Sequence, residues 1–283
     1  MTCQPTLRCP CNGAHLREAF SYDAPPEGET RFDLKGVPYK RAYDRCELCG
    51  HFFARHAMDL SALYSAEYVD ATYGGVEGMR ARLEALKALP PDRSDNAGRV
   101  ARILEYAQVV LPKRSAPPRV LDVGAGIGIF PAAMQQAGWH VTAVEPDART
   151  AGHLREAVGV AARNGTLYEL DPEDTGRFDA VTFNKVLEHV EDPVALLRKG
   201  AEFVAADGFL YVELPDTAAA AEGPGREELF IEHHHVFSPQ SFAALAERAG
   251  LSLNTMERLR EPSGKWTLRG FLTRCPLQLE VRT

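Results

Sequence analysis

Residues Val120 to Phe130 read V-L-D-V-G-A-G-I-G-I-F, an apolar strand that runs into a glycine-spaced turn and opens a helix. Such a turn lets backbone amides approach a ligand without interference from Cβ atoms, and the helix N-terminus adds oriented N–H donors. Dinucleotide sites use glycine turns too. Here, however, the spacing is G-x-G-x-G (Gly124, Gly126, Gly128), and Ile129 stands where the G-x-G-x-x-G fingerprint has its third glycine. Asp122, two residues before the first glycine, would repel a pyrophosphate and suits a ligand with a cationic amino-acid tail. A second short strand, His140 to Glu145 (H-V-T-A-V-E), ends in an acid and is followed by Pro146 and Asp147. In a strand–helix–strand unit the two strands are parallel neighbours, which brings Glu145 beside the glycine turn. A carboxylate there can accept two hydrogen bonds from ribose hydroxyls.

Three more constellations carry chemistry. Phe178 to Pro193 (F-D-A-V-T-F-N-K-V-L-E-H-V-E-D-P) puts Asn184 at the carboxyl end of a strand, where ligands bind in open α/β sheets, with Lys185 next and His189 close behind. His189 reads either as a packing histidine or as one facing the cleft. Phe230 to Leu245 contains Glu232 and three consecutive histidines, His233 to His235. Neighbours in an extended chain point to opposite faces, so the three cannot easily ligate one ion, whereas His233 and His235 can share a face. Cys9-x-Cys11 and Cys46-x-x-Cys49-Gly50 form two short-spaced pairs of the kind tetrahedral Zn²⁺ takes, with Cys3, His15 or His51 as possible replacements for one ligand. Buried thiols without metal are the plainer reading of the same residues.

The order D-x-G-x-G, acid-ended second strand and V-L-E-H-V resembles the class I S-adenosylmethionine-dependent methyltransferases from about Arg119 to the C-terminus. That resemblance implies an α/β fold, a doubly wound seven-stranded Rossmann-like sheet. It implies that Gly124 and Gly126 line the methionine moiety, Glu145 binds the ribose with Pro146 next to it in the cofactor site, and Asn184 and Lys185 lie along the cofactor, with Asp122 at its amino-acid tail. Where the family often places an acid for the adenine amino group, this chain has Asn164-Gly165-Thr166-Leu167 with Asp171 further on, so no adenine contact is assigned. The E-H pair before an aromatic and a serine-capped helix is similar to that of sugar C-methyltransferases and relatives acting on glycan precursors. Carried over, Glu232 and His233 are an acid/base pair in which Glu232 orients the imidazole, and His189 faces the cleft. Paired cysteines ahead of the domain resemble the zinc-binding lobe of the same enzymes, which implies Zn²⁺ on Cys9, Cys11, Cys46 and Cys49. The connector after them carries Tyr64, Tyr68 and Tyr73; an aromatic face there can attract a sulfonium, and Tyr73 or Tyr68 is preferred.

The elements that must hold these groups alternate in the α/β manner. Helical spacing covers Glu77 to Leu89 and Gly98 to Leu111. Strands are expected at 119–123, 140–145, weakly at 166–169, then at 178–183 and 208–213. Helices are expected near 128–137, 148–158, 192–205 and from Ser238 to about 249, and two β-rich runs, 251–259 and 265–275, finish the chain. The division expected is a cysteine-rich lobe over 1–60, a connector with helices over 61–115, and the cofactor-binding domain over 116–283.

Composition sets the outer limits. With 45% hydrophobic and 25% charged residues over 283 positions, the chain is an ordinary globular one. A formal charge of −7 gives no global field for nucleic acid, and residues 1–60 balance eight Lys/Arg against eight Asp/Glu. No apolar run approaches a membrane span and no signal-peptide core opens the chain, so a cytoplasmic protein with a small-molecule acceptor is expected. The acceptor expected is a hydroxyl or activated carbon of a small polar metabolite, such as a sugar or nucleotide-sugar. Competing readings are an RNA methyltransferase gripping RNA with the cysteine lobe, a quinone- or lipid-precursor methyltransferase, and a non-catalytic scaffold.

Overall fold

Apolar runs such as V-L-D-V and F-D-A-V-T-F are too uniformly hydrophobic to face water on either side, and they form the buried parallel strands of a sheet covered on both faces. The computed structural model describes residues 14–31, 36–58, 73–113 and 115–275. Three strands come first: β1 (Leu16–Tyr22), β2 (Arg41–Cys46) and β3 (Phe52–His56). Helices α1 (Gly75–Lys87) and α2 (Asp95–Val110) follow, the second capped by Ser94, whose hydroxyl accepts from the Ala97 amide at 3.2 Å. The alternating part then runs β4 (Arg119–Val123), α3 (Ile129–Gln136), β5 (His140–Glu145), α4 (Ala148–His153), β6 (Ala161–Asn164), α5 (Pro172–Thr175), β7 (Phe178–Asn184), α6 (Pro193–Glu202) and β8 (Val204–Pro215). A two-residue strand β9 (His235–Val236), α7 (Pro239–Arg248), β10 (Ser252–Arg260) and β11 (Trp266–Thr273) complete it.

The large sheet has seven strands in the order β10-β11-β8-β7-β4-β5-β6. Strands β4 to β8 are mutually parallel, and β11 and β10 close one edge antiparallel, as the two terminal β-rich runs imply. One face is sealed by α6 and α7 through Leu196, Leu197, Phe242 and Leu245, the other by α2 and α3 through Ile103, Tyr106, Phe130 and Met134. The chain leaves β4 outward to β5 and β6, then returns to the opposite flank of β4 for β7 and β8. That reversal opens a crevice at the carboxyl ends of β4 and β7.

Two sequence expectations are corrected. The weak strand at 166–169 is a 3₁₀ turn over Leu167–Glu169, closed by reciprocal bonds between Thr166 and Glu169, and the edge strand is Ala161–Asn164 instead. Its residues are mostly exposed, so it carries no apolar pattern to read. The helix expected over 148–158 is α4 followed by a π turn, Leu154–Val158. Gly128 explains the packing there: a Cβ on it would stand 2.7 Å from both Leu154 Cδ2 and Val158 Cγ2.

The small sheet is antiparallel in the order β1-β2-β3-β9. Its fourth strand belongs to the histidine segment, so the N-terminal strands are stitched to the far end of the chain through Phe52↔Val236 and Phe53↔His235.

Candidate active site

The crevice is a cavity of about 460 Å³ lined at one end by the glycine turn. Gly124 and Gly126 have φ of +68° and +51°, conformations that glycine adopts without penalty. A Cβ on Gly124 would lie 2.8 Å from Val186 Cγ2, whereas one on Gly126 would meet open space at the cavity wall. Gly128 does not line the cavity and serves helix packing instead. The Gly126 amide donates to Glu145 Oε2 at 3.0 Å, which places this acid beside the turn as the parallel register requires. Pro146 lines the same wall. Beyond it lie Gly165, Thr166, Leu167 and Tyr168, with Tyr168 an aromatic more than half exposed at the rim. Asp171 instead caps α5 through the Glu173 amide.

Asp122 is 1% exposed. Its Oδ1 accepts from Thr182 Oγ1 at 2.6 Å and Asn184 Nδ2 at 2.8 Å, and burial still pushes its carboxyl up to about 7. A cation in the crevice would restore its charge. Arg99 supplies the opposite sign: its guanidinium pairs with Glu213 at the end of β8, and its Nε is buried without a partner. Sequence reasoning missed Arg99. The available signal was its place four residues before Ile103, on the buried face of α2. Asn184 Oδ1 is likewise buried without a partner. Lys185 is the one non-glycine residue with positive φ (60°) among the described residues; its Nζ donates to Thr267 Oγ1 at 2.7 Å, and burial lowers its pKa. Strained backbone of this sort persists where surrounding structure over-determines it. Tyr73 lines the cavity; Tyr64 and Tyr68 lie outside the described residues.

A buried acid, a guanidinium, a second acid at the end of β5 and an open-faced glycine are the groups that S-adenosylmethionine needs. The orphaned Arg99 Nε suits its carboxylate, the buried Asp122 its ammonium, and Glu145 its sugar.

His189 and Glu232 also line the cavity. His189 Nδ1 donates to the Glu232 backbone carbonyl at 3.0 Å, which puts the neutral ring's lone pair on Nε2. Burial lowers its pKa, with the Glu232 carbonyl opposing. His233 stands behind it, ring centroids 4.8 Å apart, its Nδ1 donating to the Glu228 carbonyl at 2.9 Å. The expected arrangement, with the Glu232 carboxylate orienting His233, is therefore corrected: that task falls to Glu228. Burial raises Glu232, and its Oε2 has no partner. Glu188 is fully buried with both carboxylate oxygens unpartnered, and burial pushes it up to about 7. Glu188, His189 and His233 hold one donor atom each within 4.8 Å of one another, a set chemically suited to a borderline divalent ion.

The three histidines separate rather than sharing a face. His234 stacks on His56, and His235 turns away to bond His51 Nε2 through its Nδ1 at 3.2 Å. The chain turns at 231–232 before β9 begins, which breaks the alternation an extended strand would impose. Cys46 is buried at the end of β2, and Cys49 closes the following turn; Cys9 and Cys11 lie outside the described residues. Among the described residues no helix is long and apolar enough to cross a membrane.

Comparison with known proteins agrees with this geometry. Residues 93–255 match the family described as Methyltransferase domain. The ubiquinone biosynthesis O-methyltransferase of Xanthomonas oryzae pv. oryzae (strain PXO99A) is 38% identical over 124 residues, 42% of this chain and 51% of that protein. Its namesake from Xanthomonas axonopodis pv. citri (strain 306) is 35% identical over 186 residues, 60% of this chain and 76% of that protein. The chain thus spans about half the length of the first of these relatives. Among solved structures, Burkholderia thailandensis 1,6-didemethyltoxoflavin-N1-methyltransferase with bound 1,6-didemethyltoxoflavin and S-adenosylhomocysteine shares the fold. Its TM-score is 0.51 at 20% identity, over 78% of this chain and 94% of that one. With the crevice, its acids and the family match in agreement, the chain belongs to the class I S-adenosylmethionine-dependent methyltransferases.

Proposed function

We propose that this enzyme methylates a phenolic hydroxyl of a small molecule, with His189 as the general base. The observation that carries this reading is His189 at the cavity wall, its Nδ1 donating to the Glu232 carbonyl, which makes Nε2 the basic atom of the neutral ring. Bound S-adenosylmethionine supplies a methyl on a cationic sulfur, already a good leaving group, so the protein's work is alignment, exclusion of water and removal of one proton. Arg99 and Asp122 hold the charged tail, Glu145 holds the ribose, and Tyr168 covers the adenine end. His189 Nε2 takes the hydroxyl proton as the oxygen–methyl bond forms and the sulfur–methyl bond breaks.

Acidity selects the acceptor. A histidine below its ordinary value of about 6.5 faces a gap of at least roughly 3.5 units to a phenol near 10, about 5 kcal/mol or more. An aliphatic sugar hydroxyl is a weaker acid than a phenol, so its proton leaves a wider gap to the same base. The phenol fits the base available, and the curated relatives are named for O-methylation in ubiquinone biosynthesis. Release of S-adenosylhomocysteine from a catechol and from a nucleotide-linked sugar tests this. Turnover of the catechol, lost at least ~100-fold in His189→Ala, is expected. Turnover of the sugar alone, or full activity in His189→Ala, would overturn it.

We infer in addition that Cys46 and Cys49 form half of a zinc site completed by Cys9 and Cys11. Supporting this, Gly50 (φ +76°) folds its amide back to the Cys46 carbonyl at 2.8 Å, giving the tight turn a two-cysteine knuckle needs. Elemental analysis of the purified protein should find about one zinc per chain and none in Cys46→Ser/Cys49→Ser.

A further inference from the structure

The turn that carries Glu232 is held less by the methyltransferase domain than by the N-terminal strands. His233 N–H closes the turn on the Phe230 carbonyl at 3.1 Å. The hydroxyl of Tyr43, a fully buried residue on β2, lies 2.6 Å from the His233 carbonyl and 3.0 Å from that of Phe230, bracketing the turn from outside. Glu29 Oε2 accepts from the Ile231 amide at 2.7 Å, and Arg41, paired with Glu29 at 2.6 Å, donates to the Leu229 carbonyl at 2.8 Å. The Ala54 amide donates to the His234 carbonyl at 3.0 Å, and β3 then pairs with β9. From the other side, the segment receives the His189 Nδ1 bond on the Glu232 carbonyl and gives the His234 amide to the Glu188 carbonyl at 2.7 Å.

These bonds form one chain of cause. The orientation of the Glu232 carbonyl decides where His189 Nδ1–H points, and hence which nitrogen carries the lone pair. A hydroxyl with one hydrogen and two carbonyls fixes the turn bearing that carbonyl. We propose that Tyr43 is a positioning residue for the acceptor chemistry: by clamping the Phe230–His233 turn it holds His189 in the Nδ1–H tautomer, so that the N-terminal strands form part of the active site. The proposal deepens the reading of His189 as base and rests on it for its kinetic consequence alone.

Tyr43→Phe in the full chain keeps the buried ring and removes only the hydroxyl. Long-range ¹H–¹⁵N spectra of the histidine side chains, assigned with His189→Ala, should show one Nδ1–H tautomer for His189 in the parent and a mixture in the variant. The affinity for S-adenosylhomocysteine should stay within about twofold, showing that the cofactor half is folded. With a catechol acceptor, kcat should fall about tenfold with a smaller change in KM, and the acid limb of the pH profile should move. Glu29→Gln, which weakens the pin at Ile231, should move the spectrum the same way by less, and it serves if Tyr43→Phe does not fold. An unchanged His189 tautomer in both variants would overturn the proposal. Failure of any catechol turnover by the parent would overturn the function proposed above, whereas the spectra would still decide the role of Tyr43.

Discussion

The glycine turn makes an uneven pair of demands, and two alanine substitutions separate them. At Gly128, alanine would hold φ near +82° and put its methyl 2.7 Å from Leu154 and Val158 side chains. The left-handed backbone costs roughly 1–2 kcal/mol and overpacking roughly 1–3 more, so about 2–5 kcal/mol in all. At Gly126, φ is +51° and the methyl meets no neighbour, which leaves the backbone cost of roughly 1–2 kcal/mol alone. For a chain of 283 residues, an unfolding entropy of about 0.6 kcal/mol per degree converts these to Tm losses of roughly 3–8 °C and 2–3 °C. Affinity should rank the other way. The Gly126 methyl stands at the cavity wall where we propose the nucleoside's tail lies, so the Kd for S-adenosylhomocysteine should rise at least about tenfold, or ~1.4 kcal/mol, while folded Gly128→Ala binds nearly as the parent. Thermal unfolding and titration calorimetry on the same preparations give both numbers. A Gly128→Ala protein as stable as the parent, or a Gly126→Ala protein that binds as tightly, would refute the assignment of packing to one glycine and ligand contact to the other.

Other substitutions probe the charges. Arg99→Met should weaken S-adenosylhomocysteine binding by about tenfold or more by calorimetry, with an accompanying loss of stability because Glu213 is left buried and unpaired. Glu188 has a folded pKa raised to about 7 from an ordinary 4.5, so its neutral form favours the folded state below about pH 4.5 and that support is lost as pH rises toward 7. Glu188→Gln should therefore gain up to ~3 kcal/mol over the parent at pH 8 and little at pH 4.5, measured by urea denaturation; an equal loss at both values would contradict the burial argument. Because burial lowers the pKa of His189, the imidazole stays neutral and competent to acidities below its ordinary range. The acid limb of kcat/KM should lie below pH 6.5 and disappear in His189→Ala.

Much of the placement of residues around the crevice was legible because each group is anchored by a short local pattern. Asp122, the glycines and Glu145 sit in two apolar runs whose ends a parallel register must bring together, and Gly124 N bonds Val144 O at 2.9 Å as that register demands. The strand Ala161–Asn164 was not legible, since an exposed edge carries no hydrophobic period. The placement of the histidine segment was only partly so. Histidine, glutamate and an aromatic before a serine cap marked the segment, but the turn at 231–232 gave His233 a different partner from the neighbouring acid. Nor could spacing show that Tyr43 reaches the His233 carbonyl across 190 positions, because no period links residues so far apart. Arg99 was hidden for a simpler reason: arginine on a helix usually marks the solvent side, and only its buried salt-bridge partner on β8 makes it exceptional.

The two-residue strand β9 also bears on how the protein is made. Its partner Phe52–Phe53 leaves the ribosome some 180 residues earlier, and at about 5–20 residues per second the interval is roughly 10–40 s. Throughout it the nascent β3 offers an unmatched edge bearing two adjacent phenylalanines, the kind of template on which other chains nucleate aggregates. Expression yield should therefore suffer at high synthesis load sooner than the stability of the finished enzyme would suggest, and holdase chaperones are the natural remedy.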